Sequence, residues 1–495
     1  MTRFDLVVVG SGGGALTGAA LAARAGLAVV VLEKTDLCGG TSAYSGGACW
    51  LPGSDVQQRA GIPDSTESAR TYLGALLQDP DAAKVDAFLA TSPTLVADLE
   101  SDPLFDFEWL PFPEYFDAPG RVPWGRSIQP TSIARDDLAP EVAALVRPPV
   151  ERDRVGADGR RTLTGGQALV ARLLAMIVRD GGVVRTGHCV TSLLTEGDRV
   201  VGVVAETADG PVELSGPVLV AAGGFEGSSD QRTAHGVPGR AEWSMAPAGT
   251  NTGEPIAAAR AVGAATALLD QGWFCPGLLQ PDGRGSFTLG FRGGLMVDQT
   301  GHRYANECLP YDRFGREMAG AVDRVPSWFV FDSREGGKLP AISMPEGDPA
   351  EHLAAGTWVQ ADSIAELASR IGVPADALVA SVERFNGFCE AGVDEDFGRG
   401  QDEYDSFFTG GAAPTPCDQA PFYAARFVLS DLGTKGGLVT DTGGRVLRED
   451  GTAIPGLYAS SNSAASVFGQ RYPGPGAPLG SAMVFASLAV RDLIA

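Results

Sequence analysis

Gly10-Ser11-Gly12-Gly13-Gly14-Ala15 stands between a short apolar run, Asp5 to Val9, and an Ala/Gly-rich stretch that stops at Gly26. A second apolar run, Ala28 to Leu32, follows and ends on Glu33, with Lys34 behind it. Strand, glycine turn, helix and strand in this order predict an α/β fold with a parallel sheet and a dinucleotide at the turn. Gly10 makes the tight bend, Gly12 lets a pyrophosphate reach the backbone, and Ala15 keeps helix and strand close. The helix start then turns its unpaired N–H groups towards the phosphates. Glu33 can accept hydrogen bonds from a ribose diol and repels a 2′-phosphate, which disfavours NADP. The glycine turn alone does not choose between FAD and NAD.

Three further segments bear on that choice. Gly39-Gly40-Thr41-Ser42-Ala43-Tyr44-Ser45-Gly46-Gly47 comes directly after the acidic residue, where a nicotinamide enzyme would usually continue its sheet. Ala221-Ala222-Gly223-Gly224-Phe225 closes a hairpin-rich stretch from Val183 to Val220, with turns at Glu196-Gly197-Asp198 and Ala208-Asp209-Gly210. Near the C-terminus, Ile454 to Ala459 predicts a strand, Ser460-Ser461-Asn462-Ser463 a loop, and about Leu479 to Ile494 a last helix. Together these resemble the flavoprotein superfamily of fumarate reductase and succinate dehydrogenase flavoprotein subunits. The resemblance implies a Rossmann-type FAD-binding domain built from both chain ends, residues 1–270 and 433–495. An α+β catalytic domain, residues 271–432, would be inserted, with Lys435-Gly436-Gly437 at the return.

By the same resemblance FAD is held by residues 10–15, Glu33 and Lys34, then by Gly40, Thr41, Ser42, Ser45, Gly46 and Gly47, and by Ala222 and Gly223. Asn462 serves the flavin or shapes its loop, although the superfamily often carries Gly-Asn where this chain has Ser461-Asn462. Pro478 and Leu479 open the last helix, whose positive end would face the isoalloxazine. The chain has four histidines, His188, His235, His302 and His352, and none is near residues 39–47, so the FAD is expected to be non-covalent.

A length of 495 residues suggests two domains. The net charge of −23 argues against nucleic acid and anionic membrane surfaces as partners. Seven cysteines without C-x-x-C spacing predict reduced thiols, with neither a disulfide framework nor a metal site. The N-terminus lacks a signal-peptide pattern and no uninterrupted apolar run is long enough for a bilayer span. A cytoplasmic protein is expected, with a greasy substrate able to bring it to the membrane periphery.

The stretch Arg471-Tyr472-Pro473-Gly474-Pro475-Gly476 points to the reaction. Proline lacks an N–H and fixes φ, so one phenol and the glycine amides are held on a stiff support. A rigid hydroxyl beside a rigid amide suits a carbonyl oxygen on which charge develops. Tyrosine is scarce, nine in all. Tyr311 opens a helical stretch reaching about Met318, Tyr115 lies in a Pro/aromatic loop, and Trp109, Leu110, Phe112, Phe116 and Trp124 suit a flat apolar ligand. Tyr304 and Tyr44 read as structural. Arg471 and Arg303 could serve a carboxylate, but read better as solvated or ion-paired.

These positions, with Gly-Ser-Gly-Gly-Gly-Ala-Leu at 10–16, look like the 3-ketosteroid Δ1-dehydrogenases, which remove hydrogens from carbons 1 and 2 of a 3-keto A-ring. That resemblance implies Tyr311 as the base at carbon 2, Tyr115 as its tuning partner, and Tyr472 with the Gly476 amide on the ketone oxygen. The chemistry is consistent: a proton α to a ketone is acidified when two donors hold the oxygen. A tyrosinate at pH 7 costs about 4 kcal/mol, so activity should rise on the alkaline side. Electrons would leave to a quinone or other redox carrier. A 3-ketosteroid 4,5-dehydrogenase, a fumarate-reductase-like enoate reductase and an electron-transfer subunit are the other readings.

Overall fold

The computed structural model describes residues 2–155 and 161–495. The chain divides into two compact units, the first of Met1–Gly236, Ala246–Gln271 and Thr434–Ala495, the second of Val237–Met245 and Gly272–Gly433.

The first unit is built on a six-stranded sheet in the order Arg445–Leu447, Ala453–Ala459, Val218–Val220, Leu6–Val9, Val29–Leu32, Val183–Arg185. All neighbours are parallel except the edge strand Arg445–Leu447. Leu6–Val9 and Val29–Leu32 are buried at every position. Such uninterrupted apolar strands are what a parallel sheet covered on both faces requires. The helix Gly13–Arg24 crosses from the first of these strands to the second and packs on the last helix, Ala477–Ile494. Small residues allow the approach: a Cβ on Gly14 would fall 2.9 Å from Ala482 O, and one on Gly18 3.4 Å from Ala486 Cβ. A smaller sheet, Thr2–Arg3, Gly210–Ser215, Arg199–Thr207, Cys189–Glu196, contains both hairpins signalled by Gly197 and Gly210.

Ala477–Ile494 is long and apolar enough, by length and composition, to cross a membrane. In this fold its apolar residues Ala482, Met483, Val484 and Ala486 are core. The segment between Gln57 and Arg152 is helical only in part. After Thr66–Leu76 and Ala82–Glu100 it runs through loops and the short antiparallel pair Phe107–Trp109 and Ile128–Pro130 to the short helices Pro140–Leu145 and Val150–Val155. Pro111, Pro113, Pro119 and Pro123 remove the N–H groups that a helix there would use.

The second unit carries a seven-stranded sheet in the order Leu295–Val297, Ser327–Phe331, Phe422–Thr434, Gly272–Leu279, Gly285–Leu289, Ile342–Met344, with Trp358–Ala361 also paired to Phe422–Thr434. Helices Ile364–Ile371 and Ala375–Ala391 close a core of Leu295, Val330, Leu367, Leu378 and Phe385. The helix Tyr311–Ala319 packs on the strand Gly272–Leu279, with a Cβ on Gly315 only 2.7 Å from the Cys275 nitrogen.

Candidate active site

The glycine turn is shaped by contacts that only glycine permits. Gly10 has φ 102°, and a Cβ there would lie 2.5 Å from the Ala221 carbonyl oxygen. Gly12 is the N-cap of Gly13–Arg24, and Gly13 donates its N–H to Ser42 Oγ at 3.0 Å. Gly14 and Ala15 N–H meet no acceptor among the described residues, and they stand where the helix dipole favours an anion. Ser11 Oγ bonds to the Glu33 carboxylate and accepts from Gly39 N–H at 3.0 Å. The other Glu33 oxygen accepts from Thr35 N–H and Oγ1, both at 2.8 Å. Glu33 is therefore held at the strand end in one orientation.

Lys34 Nζ pairs with Glu254 at 2.8 Å. Burial raises the Glu254 carboxyl, but hydrogen bonds from Lys34 and Thr252 outweigh it and hold the group below the usual range. Gly40–Tyr44 is a single helical turn entered through Gly39 at φ 116°. Ser45 Oγ donates to Ser42 O at 2.7 Å and accepts from Gly47 N–H at 3.1 Å. Gly47 (φ 74°) abuts Gly165, a Cβ there falling 2.4 Å from the Gly165 carbonyl carbon. A Cβ at Gly40 or Gly46 meets nothing within 4 Å, so open space lies over both. On the facing side, Ser463 Oγ accepts from Ala222 N–H at 2.9 Å and donates to Gly223 O at 2.7 Å. This ties the Ser461–Ser463 turn, with Asn462 inside it, to the Ala222-Gly223 loop. Ser461 is left-handed, φ 58°, the conformation that the expected glycine would adopt at no cost. Pro478 and Leu479 form the first turn of the last helix, and Leu479 Cδ1 fills the space beside Gly13. A cradle of N–H groups, a fixed carboxylate and glycine-lined space fits a dinucleotide.

One part of the cradle carried no motif. Fully buried Glu226 accepts from Asn251 Nδ2 and from Thr434 N–H at 3.2 Å. Asn251 in turn donates to Thr41 Oγ1 at 3.3 Å, from a left-handed backbone of φ 52°. A non-glycine residue at positive φ is worth a functional look, but φ is not visible in a sequence.

The Tyr472 segment is anchored on every side. Tyr115 N–H and Tyr72 Oη both donate to Pro473 O, at 3.1 and 2.8 Å. Ser127 Oγ donates to Pro475 O at 2.6 Å, and Trp50 N–H to Gly476 O at 3.1 Å. Gly476 has φ 79°, and a Cβ there would lie 2.2 Å from Ala48 O. No acceptor takes the Gly476 N–H among the described residues. Tyr115 and Tyr472 are both buried, with ring centroids 5.1 Å apart at 62°. Beneath Tyr115, Glu114 accepts from Trp50 Nε1 at 3.0 Å, Arg126 Nε at 2.7 Å and Val122 N–H at 2.9 Å. Burial still leaves the Glu114 carboxyl above its ordinary range. Of the aromatic set read from the sequence, Phe112 packs on Tyr115 at 6.4 Å, whereas Trp124 is 46% exposed.

Tyr311 belongs to the second unit. It is buried, follows Pro310 as the first residue of its helix, and meets Phe287 edge-on at 4.8 Å. Tyr304 bonds to Ser327 Oγ at 2.8 Å and Tyr44 to Asp153, both structural contacts. Arg303 pairs with Glu307 and Asp394, each at 2.8 Å. Arg471 is half-buried over the Phe116 ring at 5.7 Å.

Residues 5–479 match the FAD binding domain family. The 3-oxosteroid 1-dehydrogenase of Rhodococcus opacus is 42% identical, over 99% of this chain and 98% of its own length. The 4-oxocyclohexanecarboxylate 2-dehydrogenase of Sinomonas cyclohexanicum is 34% identical, over 99% and 93%. The structure of a 3-ketosteroid Δ1-dehydrogenase from Sterolibacterium denitrificans, in complex with 1,4-androstadiene-3,17-dione, superposes with a TM-score of 0.91 at 30% identity, covering 100% of this chain and 99% of that one. With a glycine-lined dinucleotide cradle and likeness along its whole length, the chain belongs to the 3-oxosteroid 1-dehydrogenase family of FAD-binding flavoproteins.

Proposed function

We propose that this protein is an FAD-dependent 3-oxosteroid 1-dehydrogenase, which converts a 3-ketosteroid to its 1,2-unsaturated product. The full-length identity of 42% to a relative of that name carries the reading. The stiff Tyr472 segment supports it. The Tyr472 hydroxyl and the Gly476 N–H would hold the 3-keto oxygen and acidify carbon 2. Tyr311 is assigned removal of that proton on the family resemblance, and Tyr115, packed on the Tyr472 ring, is assigned its tuning. Bound FAD would supply the oxidation by taking the hydride from carbon 1. The first unit is read as a Rossmann-type FAD-binding domain made from both chain ends, and the second as the inserted α+β catalytic domain. Non-covalent flavin, reoxidation by a quinone or similar carrier, and a cytoplasmic setting complete the reading.

A second reading rests on the Sinomonas relative. Its name describes desaturation α,β to a ring ketone, the same bond relationship on a small keto acid. Arg471, beside Tyr472, would then meet the carboxylate. Anaerobic mixing of the oxidised enzyme with androst-4-ene-3,17-dione separates these readings. Bleaching of the flavin band with formation of the 1,4-diene is expected. Bleaching by 4-oxocyclohexanecarboxylate alone, or by a saturated 5α-steroid alone, would overturn the Δ1-steroid reading.

A further inference from the structure

Tyr72 lies in the helix Thr66–Leu76 and is fully buried. Its hydroxyl donates to Pro473 O at 2.8 Å and accepts from Phe116 N–H at 3.2 Å. Pro473 directly follows Tyr472, and Phe116 directly follows Tyr115. One oxygen atom thus joins the N–H of the residue after Tyr115 to the carbonyl of the residue after Tyr472. The Tyr115 N–H, also on Pro473 O, adds a second tie between the same segments.

The bridging ring itself is held in place. Its centroid is 6.5 Å from that of Trp50, and the Arg126 guanidinium stands 5.7 Å from it. Arg126 is fully buried and bonds to Asp64 at 2.8 Å, Ser68 Oγ at 3.2 Å and Glu114 at 2.7 Å. Ser68 belongs to the same helix as Tyr72, whose start is fixed by the Ser65–Ser68 capping box. The guanidinium therefore joins the helix that carries Tyr72 to the loop that carries Tyr115. Burial, and then the Glu114 charge, raise the Tyr72 phenol well above its ordinary value, so it stays a protonated donor.

We propose that Tyr72 is a positioning residue for the steroid reaction, fixing the separation and tilt of the Tyr115 and Tyr472 phenols through the peptides of Phe116 and Pro473. Misplacement of reacting groups by a fraction of an ångström lowers turnover more than binding. A packing role alone would lower stability and leave the rate per bound flavin unchanged.

The proposal rests on the ketosteroid reading, and one experiment keeps the two apart. Holoenzyme of wild type and Tyr72→Phe is mixed anaerobically with androst-4-ene-3,17-dione, and flavin reduction is followed by stopped flow across steroid concentration. The substitution removes one atom and keeps the ring in its packing. Melting midpoint and flavin content are measured alongside, and the rate is taken per bound flavin. The limiting rate is expected to fall about tenfold, with half-saturation changed less than about twofold. A limiting rate within about twofold of wild type overturns the proposal, whatever the melting midpoint does, and so does a loss confined to half-saturation. A wild-type enzyme that the steroid leaves oxidised overturns the ketosteroid reading instead. The same rate ratio, read with the cyclic ketone that does bleach it, then decides the role of Tyr72.

Discussion

The Lys435 ammonium lies 6.0 Å from the centroid of the Tyr472 ring and donates to the carbonyl oxygens of Gln470 and Arg471, at 2.8 and 3.2 Å. Those two residues lead directly into Tyr472, and Lys435 is fully buried. Desolvating an ammonium costs several kcal/mol, so a group placed there must hold its acceptors well. Lys435→Met keeps the stem and removes the three donors. Turnover of a 3-ketosteroid should fall about tenfold while flavin stays bound. Steady-state rates and the flavin-to-protein absorbance ratio check this.

Tyr472→Phe tests the clamp more directly. Removing one donor from a developing oxyanion typically costs 10²- to 10³-fold in turnover, so a fall of about 100-fold is expected. Its neighbour Gly476 is more demanding. With φ 79° and Ala48 O only 2.2 Å from where a Cβ would stand, Gly476→Ala must displace the backbone that offers the N–H. Turnover should fall at least as far, and the melting midpoint with it. A Tyr472→Phe enzyme of normal rate would remove the phenol from the mechanism.

Much of the first unit was legible because its signals are local. Gly10 to Ala15, the turns at Gly197 and Gly210, and the strand ending at Ala459 each pair a periodic run with a residue whose backbone demands are visible in the sequence. Tyr472 was legible because two prolines announce a stiff segment. The residues that hold it were not. Tyr72 is 401 positions from its acceptor Pro473, and Lys435 is 35 positions from Gln470. Neither sits in a spacing that marks its partner. The short strands Phe107–Trp109 and Ile128–Pro130 escaped for a related reason, since each is only three residues long and exists by pairing with the other. Periodicity cannot register in so few residues.

Gly14 links cofactor binding to the packing of the first and last helices. A Cβ there would fall 2.4 Å from Ser461 Oγ and 2.9 Å from Ala482 Cβ and O. Gly14→Ala should therefore push apart the two helix starts and disturb the turn that holds Asn462. Overpacking of this kind costs about 1–3 kcal/mol. The purified variant should carry substoichiometric flavin, and its melting midpoint should rise more steeply with added FAD than that of the wild type. Full flavin loading at wild-type stability would show that the contact relaxes freely.

His352 gives the fold an acid-sensitive point in the second unit. It is fully buried, its ring stacks on Trp358 at 4.7 Å, and Nδ1 contacts Thr357 Oγ1 at 2.8 Å. Nε2 meets no partner among the described residues. A charged ring would bury an unpaired N–H at Nε2, and burial accordingly depresses the pKa to about 4, with Asp348 acting weakly in the other direction. The unfolded chain titrates near the ordinary value of about 6.5. Between about pH 6.5 and 4 the unfolded state therefore binds the extra proton and the folded state does not, so stability falls as pH falls across that window. The loss amounts to about 3 kcal/mol when complete. His352→Phe keeps a ring against Trp358 and removes the titration. It should melt below the wild type at pH 7, for want of the Thr357 bond, and the gap should narrow towards pH 4. A gap that stays constant from pH 7 to pH 4 would mean that His352 titrates alike in the folded and the unfolded chain.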